Sequence, residues 1–384
     1  MIIGYDAKRA FQNKTGLGNY SRTLLHSLNN YFEEHQYLLF APKESSLFNT
    51  NGPQSFQVIT PEWQPAKKLP SLWRSWWMTR DLKKTGIQLY HGLSNEIPAG
   101  IESTNIRSVV TIHDLIFERY PHQYDRMEVW MYKRKFRQAC RKADAIIATS
   151  QQTKNDIIDF YQVPADKIHV CYQSCTSAYW EKLPSAELSA IRQQYNLPAN
   201  YFLYVGSITE RKRLMMIARA LHLMRYRLDI PLVVVGEGKT YKKEVQQWLE
   251  RQGLSNRVIF LSETDAARNS PGYQSGLHFP AIYQNATAFI YPSSFEGFGI
   301  PVLEALNSGI PVITTNASSL PEVGGKAALY FEPYDLEGLC DAMWRAATNE
   351  TIRQQSIRNA AEQVLHFTPK KCAASVMKVY QTLL

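Results

Sequence analysis

The sequence predicts an α/β protein with two Rossmann-like β/α/β domains. Short apolar runs alternate with helical segments along the whole chain, which is typical of parallel sheets with helices between the strands. The 384 residues are too many for one ordinary hydrophobic core. The apolar runs also fall into two series of similar size, and the polar segment Ala178–Ala199, which contains proline near both ends, separates them.

The first series contains seven predicted strands. A glycine-containing loop, Thr15–Asn19, follows the first of them and precedes a predicted helix at about Tyr20–Tyr31. The strands are the short apolar runs Met1–Tyr5, Tyr37–Ala41, Val58–Thr60, Leu89–His91, Val109–His113, Ala145–Thr149 and His169–Tyr172.

The second series contains six predicted strands. Helices are predicted at Tyr241–Gln252 and Leu336–Thr348, and Ala266–Leu277 is expected to be an irregular insertion. The strands are Phe202–Val205, Leu232–Val235, Val258–Leu261, Ala288–Tyr291, Val312–Thr314 and Leu329–Phe331.

The polar and glycine-rich loops follow predicted strands, and ligands of open α/β sheets bind at the carboxyl ends of the strands. We therefore expect two facing domains with a ligand cleft between them. The loops are Gly16–Asn19, His113–Asp114, Gly206–Lys212, Gly236–Gly238 and Phe295–Gly299.

Composition narrows the class of protein. With 45% hydrophobic and 20% charged residues, the chain resembles soluble globular proteins. No apolar run is long enough to cross a membrane, the N-terminus has no signal-peptide core, and five cysteines without a CxxC pair indicate a reducing compartment. The net charge of +9 favours an anionic partner such as a phosphate or an acidic membrane; no nucleic-acid motif is present.

The most informative segment is Ser293–Glu304. A buried strand delivers a glycine-rich loop to a helix that begins near Pro301, and such a helix start presents free N–H groups to a polar ligand. Glu296 and Glu304 bracket this loop, so the segment predicts a site for a hydroxyl-rich, phosphorylated molecule. The alternative is that Glu304 only complements the helix dipole and that Gly297 and Gly299 only turn the chain.

Three further sites follow strands. Arg211 and Lys212, beyond Gly206, could clamp a diphosphate or could simply be solvated surface cations. His113 ends a strand and could bond a ligand hydroxyl or be a satisfied core residue. Gly16 and Gly18 would let a ligand approach the backbone, but Ser21 replaces the third glycine of a dinucleotide fingerprint, which disfavours a nicotinamide dehydrogenase.

Two segments combine tryptophan with many cations, Trp63–Lys84 and Tyr120–Lys142. This combination suits an anionic membrane surface or a lipid-linked anionic acceptor. The alternative is an amphipathic helix that buries its aromatic residues and leaves its cations in water.

Four segments, in chain order, resemble a known family: TGLGNY, VTIHDLIFERYP, FLYVGSITERK and FEGFGIPVLEALNSGIPVITTNASSLPEVGG. They are similar to the retaining glycosyltransferases of family 4, which have the GT-B fold, and in particular to bacterial mannosyltransferases of surface-polysaccharide synthesis. The resemblance covers nearly the whole chain. It implies an acceptor-binding domain at 1–175, a nucleotide-sugar (donor) domain at 176–366, and a C-terminal helix at 367–384 that crosses back to the first domain.

The resemblance also implies roles for the candidate residues. Glu304 would hold the ribose hydroxyls of the donor, and Glu296 would contact the transferred sugar. Lys212, with Arg211, would neutralise the departing diphosphate. His113 would lie over the sugar. The backbone of seven further residues would contact the donor: Gly16, Gly18, Gly206, Gly297, Phe298, Gly299 and Ile300.

Two departures from the family pattern bear on the donor. Ser207 occupies a position where many members have a phosphate-binding arginine, so Arg211 is expected to compensate. The insertion Ala266–Leu277 interrupts the loop that surrounds the nucleotide base in the family. No DxD-type carboxylate pair is present, so no metal or other cofactor is expected. Preorganised cations and helix N–H groups would stabilise the leaving group.

The sequence therefore predicts a cytoplasmic, retaining hexosyltransferase, located in the cytosol or at the inner face of the cytoplasmic membrane. It would transfer mannose from GDP-mannose to a glycan or lipid-linked glycan. The alternatives are a UDP-hexose donor (glucose or N-acetylglucosamine), a GT-B epimerase or phosphorylase, and a non-catalytic sugar-nucleotide binding protein.

Overall fold

The computed structural model describes residues 1–50 and 56–384. The chain divides into two compact units, and each is built around one parallel sheet with helices between its strands. Unit 1 comprises Met1–Cys175 with Phe367–Leu384, and unit 2 comprises Thr176–His366. The predicted α/β class with two Rossmann-like domains is confirmed.

The sheet of unit 1 has seven strands in the described part of the chain, in the order β3-β2-β1-β4-β5-β6-β7. All neighbouring strands are parallel; Gly4 of β1, for example, pairs with Leu38 of β2. The strands are β1 (Ile2–Asp6), β2 (Gln36–Phe40), β3 (Gln57–Ile59), β4 (Leu89–Gly92), β5 (Arg107–Ile112), β6 (Ala145–Ala148) and β7 (Ile168–Val170).

One expectation about unit 1 is wrong: Thr15–Asn19 is not a loop, because a helix already begins at Gly16. Asn13 Oδ1 accepts hydrogen bonds from the N–H groups of Thr15 and Gly18, at 2.8 and 3.2 Å, and so holds the chain at the helix start. The helices are α1 (Lys8–Gln12), α2 (Gly16–Tyr31), α3 (Gln64–Lys68), α4 (Pro70–Leu72), α5 (Met78–Lys84), α6 (Ile116–Arg119), α7 (Arg126–Lys142) and α8 (Gln151–Tyr161), and a π-helical turn, Trp73–Trp77, joins α4 to α5.

The two basic and aromatic segments are only partly explained by burial of their aromatic residues. Trp73 is fully buried and Arg74 is buried beside it. Trp76 is 65% exposed, however, and on α7 Trp130 is 60% and Met127 71% exposed. Both segments therefore leave large apolar side chains in solvent among cations.

The sheet of unit 2 has six parallel strands in the order β10-β9-β8-β11-β12-β13. Their ends agree with the prediction to within one residue. They are β8 (Phe202–Val205), β9 (Leu232–Val235), β10 (Val258–Phe260), β11 (Ala288–Tyr291), β12 (Val312–Thr315) and β13 (Ala328–Phe331).

The predicted irregular insertion is wrong, because Ala266–Leu277 is largely helical. Thr264 and Ser270 cap its two short helices with their hydroxyl groups. The expected connector Ala178–Ala199 likewise contains α9. The helices of unit 2 are α9 (Ser185–Gln194), α10 (Leu214–Leu223), α11 (Thr240–Arg251), α12 (Asp265–Arg268), α13 (Pro271–Ser275), α14 (Phe279–Gln284), α15 (Ile300–Asn307), α16 (Leu320–Gly324), α17 (Leu336–Thr348) and α18 (Glu350–Gln363).

The last helix, α19 (Pro369–Leu383), belongs to unit 1, where it packs against α2. A buried polar chain connects it to the sheet. The Tyr380 hydroxyl lies 2.6 Å from His91 Nδ1, and His91 Nε2 lies 2.8 Å from the Thr111 hydroxyl. In the described residues, no helix is both long and apolar enough to span a bilayer.

Both sheets reverse their strand order at one place, between β1 and β4 in unit 1 and between β8 and β11 in unit 2. In open α/β sheets, the carboxyl ends of the strands that flank this reversal form the ligand crevice. In unit 2 those ends lead into Gly206–Lys212 and Ser293–Gly299, so the fold brings these two predicted loops together.

Candidate active site

The loop after β11 is fixed by hydroxyl groups of the next loop along the sheet. The Ser319 hydroxyl donates to the carbonyls of Glu296 (2.9 Å) and Phe298 (2.8 Å), and the Ser318 hydroxyl accepts from the N–H of Glu296 (2.9 Å). Thr315 donates to the carbonyl of Ser293 at 2.6 Å. The loop backbone is therefore preorganised before any ligand binds.

Helix α15 begins directly after this loop with Gly299 as its N-cap, at φ = 113°, a conformation that favours glycine. Pro301 occupies the first turn, where no N–H is required. Among the described residues, the N–H groups of Gly299 and Ile300 meet no acceptor. They are therefore available to an anionic or hydroxyl-bearing ligand.

Glu296 has three hydrogen-bond donors on one carboxylate oxygen. Its Oε1 lies 2.7 Å from an Arg211 nitrogen, 2.8 Å from the Ser293 hydroxyl and 2.9 Å from the Tyr291 hydroxyl. Burial alone would raise the pKa of this carboxyl, but the charges of Arg211 and Lys212 outweigh it and hold the pKa below its usual value. Glu296 is therefore a carboxylate at neutral pH.

Arg211 lies against the loop after β11. The same terminal nitrogen that contacts Glu296 also lies 3.2 Å from the Ser293 hydroxyl and bonds the carbonyl of Phe295. The Arg211 carbonyl in turn accepts the N–H of Ser294 at 2.9 Å. Arg211 thus joins the loops after β8 and β11, and its charge already has a carboxylate partner.

Lys212 differs from its neighbour, because no acceptor in the described residues bonds its ammonium group. Nζ lies 5.3 Å from the centre of the Tyr291 ring. Burial and then the repulsion of Arg211 lower its pKa, against the attraction of Glu296 and Glu304. A Cβ at Gly206 would lie 3.0 Å from this Nζ, and Gly206 has a φ of 147°, so glycine is needed there for two reasons.

Glu304 lies one turn into α15 beneath two tyrosines. The Tyr283 hydroxyl donates to its Oε2 at 3.0 Å, and Tyr179 is a second hydrogen-bond partner. Burial raises the pKa of Glu304 to about 7, despite these bonds and the charge of Lys212. The two glutamates of the motif therefore differ in protonation near pH 7.

Three sequence-predicted residues lie in unit 1. His113 follows β5; its Nε2 is 2.9 Å from the carbonyl of Leu93 and its ring packs edge-on against Tyr20 with centroids 4.6 Å apart. Burial lowers its pKa to about 4, so the ring is neutral with the proton on Nε2, and Nδ1 can accept a hydrogen bond.

Gly16 and Gly18 differ in their surroundings. Gly16 is exposed and has open space where a side chain would be, whereas a Cβ at Gly18 would lie 1.9 Å from the carbonyl oxygen of Asn13. Gly18 is therefore required by the packing of α1 against α2. Gly16 leaves the N-terminus of α2 open.

The structure thus brings Gly206, Arg211, Lys212, Glu304 and the Glu296–Ile300 loop together within unit 2, and His113 and α2 together within unit 1. Four residues that bond the two glutamates were given no role from the sequence: Tyr179, Tyr283, Tyr291 and Ser293. Only the place of Tyr291 at a strand end signalled a role. Among the described residues, no group of three or more His, Cys, Asp or Glu side chains is placed to hold a metal ion.

Two protein-family models match the chain: Glycosyltransferase Family 4 over residues 14–174, and Glycosyl transferases group 1 over residues 187–363. The chain belongs to the family 4 glycosyltransferases. The family predicted from the sequence is therefore confirmed.

Named relatives agree with this family. The O-antigen chain mannosyltransferase B of Escherichia coli is 28% identical over 313 residues, which cover 81% of this chain and 77% of that protein. The serotype-specific mannosyltransferase WbdA of Escherichia coli is 26% identical over 78% of this chain, but the chain spans only 36% of WbdA. The crystal structure of Anabaena Alr3699/HepE in complex with UDP-glucose matches 99% of both chains with a TM-score of 0.72 at 17% identity, which supports the GT-B fold.

Proposed function

We propose that this glycosyltransferase transfers mannose from GDP-mannose, with retention of the anomeric configuration, to a glycan or lipid-linked glycan of a surface polysaccharide. The observation that carries the proposal is the ammonium group of Lys212. It bonds no acceptor in the part of the chain that the structure describes, and it lies in a site that also contains Glu296 and the open N-terminus of α15. A departing diphosphate needs this combination of charge and N–H donors.

Five candidate residues of unit 2 have roles in this proposal. The ammonium of Lys212 and the N–H groups of Gly299 and Ile300 stabilise the charge that develops on the diphosphate, so that no metal or other cofactor is required. Glu304 accepts hydrogen bonds from the ribose hydroxyls. Glu296 stays ionised and positions the sugar, and its negative charge favours an oxocarbenium-like transition state.

Retention is proposed to follow from front-face attack, in which the diphosphate oxygen accepts the proton of the acceptor. A covalent glycosyl intermediate would need a free carboxylate nucleophile. Three donors, Arg211, Ser293 and Tyr291, bond Oε1 of Glu296 and withdraw electron density from this carboxylate, which supports the front-face route. In unit 1, His113 Nδ1 would accept a hydrogen bond from a sugar hydroxyl. Gly16 would leave the backbone N–H groups of α2 open to a phosphate.

Mannose and GDP are proposed because both Escherichia coli relatives are named as mannosyltransferases. The acceptor side is assigned to unit 1. The exposed Trp130 and Met127 of α7, set among the cations of that helix, are proposed to contact an anionic membrane at the cytoplasmic face, where a lipid-linked acceptor would be presented.

The donor can be tested by following thermal unfolding with GDP, UDP, GDP-mannose, UDP-glucose and NAD in the presence of EDTA. A ligand at 100 times its Kd stabilises the folded state by about 2.7 kcal/mol. We expect GDP and GDP-mannose to raise Tm. A rise in Tm with UDP alone would indicate a UDP-hexose donor instead of GDP-mannose. Binding without transfer to any acceptor would indicate a sugar-nucleotide binding protein.

Donor binding should weaken as the pH falls below 7. Ribose hydroxyls bond the carboxylate form of Glu304, whose pKa in the free protein is about 7, so binding lowers this pKa and releases a proton. Below pH 7 the Kd for GDP should rise by up to about tenfold per pH unit. Titration calorimetry between pH 5.5 and 8.5 measures this, and Glu304→Gln should bind more weakly and lose the pH dependence. If the Kd of that variant depends on pH as steeply as the Kd of the unmodified protein, Glu304 does not bind the ribose.

A further inference from the structure

A row of buried aromatic rings connects the two glutamates of the candidate site. The Tyr283 and Phe289 rings lie 5.4 Å apart between centroids, and the Phe289 and Tyr291 rings lie 5.6 Å apart with an interplanar angle of 21°. The Tyr283 hydroxyl donates to Glu304, and the Tyr291 hydroxyl donates to Glu296. This aromatic row, formed by Tyr283, Phe289 and Tyr291, therefore has one glutamate at each end.

The row follows from the sequence of one short segment. Phe289 and Tyr291 alternate with Ala288 and Ile290 along β11, so both rings lie on the same face of the sheet. Tyr283 comes from the last turn of α14, which precedes this strand. Ile290 belongs to the hydrophobic core on the opposite face. The rings are therefore separate from that core and contact the side of the sheet that carries α15.

Packing alone does not account for the hydroxyl groups of the row. The side chains of Tyr283, Phe289 and Tyr291 are all fully buried. Phenylalanine would fill the space of each tyrosine ring, and a buried hydroxyl is costly unless it has a hydrogen-bond partner. At both ends of the row this partner is a glutamate of the candidate site, at 3.0 Å from Tyr283 and 2.9 Å from Tyr291.

Close packing makes the positions of the three rings depend on one another. A buried ring in a well-packed core cannot shift without displacing the rings beside it. Nζ of Lys212 also lies 5.3 Å from the centre of the Tyr291 ring. A displacement of the central ring, Phe289, would therefore change the positions of both hydroxyls and of the groups that they contact.

We propose that Tyr283 and Tyr291 are positioning residues of the donor site and that Phe289 couples them. Tyr283 orients Glu304 toward the ribose, and Tyr291 orients Glu296 toward the transferred sugar. The ring of Phe289 fixes the spacing between the two carboxylates. This inference rests on the proposed function and extends it from the two glutamates to the core behind them.

The test uses Tyr283→Phe, Tyr291→Phe and Phe289→Leu, with Ile290→Val as the matched control. Ile290 is fully buried on the same strand, so its variant shows the effect of a smaller core side chain on the other face. Titration calorimetry gives the Kd for GDP at each pH, and single-turnover kinetics give the transfer rate. All assays are run at the same interval below the Tm of each variant.

A further measurement requires neither ligand nor turnover. ¹³C NMR of protein labelled at the glutamate carboxyl carbons gives the pKa of Glu296 and of Glu304 in the free protein. The variants Glu296→Gln and Glu304→Gln assign the two signals.

Each tyrosine variant should affect one step. Tyr283→Phe should raise the Kd for GDP by about tenfold and leave the transfer rate of the bound donor unchanged. Burial raises the pKa of Glu304 to about 7, and the Tyr283 hydroxyl lowers it; without this hydroxyl the pKa should rise, and GDP binding should begin to weaken at a higher pH. Tyr291→Phe should lower the transfer rate by up to about tenfold and leave the Kd for GDP unchanged.

The Phe289→Leu variant tests the coupling. It should lower the transfer rate and raise the Kd for GDP by about tenfold each, since a misplacement of about 1 Å can cost up to about 10²-fold in rate. The pKa values of Glu296 and Glu304 should both shift, whereas Ile290→Val should change none of these quantities. The inference is wrong if Phe289→Leu matches Ile290→Val in every assay, or if the two tyrosine variants change the same step. If the unmodified protein transfers no sugar, the proposed function alone fails, because the two pKa values still test the row.

Discussion

Replacement of Glu296 by glutamine should lower kcat by about 10²–10³-fold, the usual effect of removing one preorganised electrostatic group from an active site. Glu296 is ionised in the free protein because Arg211 and Lys212 hold its pKa down. A negative charge beside the sugar stabilises the positive charge that develops when the glycosidic bond breaks. Glutamine lacks this charge, so the loss should appear in kcat and not in the Kd for GDP.

Glutamine is the informative replacement because it retains the shape of the site. Its amide oxygen can still accept from Arg211, Ser293 and Tyr291, which now bond Oε1. Alanine would empty the site and leave Arg211 without its partner, which costs about 3–5 kcal/mol for a buried pair. Single-turnover kinetics and a melting curve for each variant separate lost chemistry from lost structure.

Ser293→Ala is the matched control, since it removes one hydrogen bond to Glu296 and leaves its charge in place. The hydroxyl of Ser293 also bonds the Phe295 carbonyl, at 3.2 Å, so this variant loosens the same loop. We expect its kcat to fall by less than about tenfold. Unchanged turnover in Glu296→Gln would contradict the assignment of Glu296 to the sugar site. An equal loss in both variants would mean that loop geometry, and not charge, is what Glu296 provides.

The strands and the two glutamates could be predicted from the sequence because both depend on local patterns. Apolar runs such as Ala288–Tyr291 mark buried parallel strands whatever packs on them. The spacing of Glu296 and Glu304 follows from one loop and one helical turn. The contact of Arg211 with Glu296 joins loops 85 residues apart, and no local pattern encodes which of two adjacent cations turns toward a carboxylate.

Two of the wrong predictions have a related physical cause, which is a side chain that bonds backbone N–H groups at a helix start. Glycine at positions 16 and 18 was expected to keep the chain open, but Asn13 Oδ1 accepts hydrogen bonds from the N–H groups of Thr15 and Gly18, and α2 begins at Gly16. The Ala266–Leu277 segment contains Asn, Ser, Pro and Gly, which are typical of loops. Ser270 nevertheless accepts the N–H of Tyr273 at 3.2 Å and starts a helix with Pro271 in its first turn.

Replacement of Lys212 by glutamine should weaken GDP binding by at least about tenfold and lower kcat by about 10²-fold or more. A charge-assisted hydrogen bond contributes about 1.5–3 kcal/mol, and the transition state carries more charge on the diphosphate than the bound donor does. Without the charge of Lys212, Arg211 is the remaining cation that balances the charge of Glu296. The pKa of Glu296 should therefore rise modestly in this variant.

The pH dependence of Lys212 is opposite to that of Glu304. The pKa of Lys212 is lowered in the free protein, and a diphosphate beside the ammonium would raise it again. Binding therefore takes up a proton once the pH exceeds the lowered pKa, and the affinity for GDP should fall at alkaline pH. Calorimetry in two buffers of different ionisation enthalpy measures this proton uptake, which should be absent in Lys212→Gln.

Lys243→Gln is the control for Lys212→Gln, because Lys243 is an exposed cation on α11 of the same unit. It should bind GDP as the unmodified protein does, and so exclude a general effect of net charge. Lys212→Arg should recover binding only in part, because a guanidinium is larger than an ammonium and Nζ of Lys212 already lies 3.0 Å from where a Cβ of Gly206 would be. Guanosine, which has no phosphate, should bind all these variants equally. If Lys212→Gln lost guanosine binding as well, Lys212 would support the fold of the site and another group would have to neutralise the diphosphate.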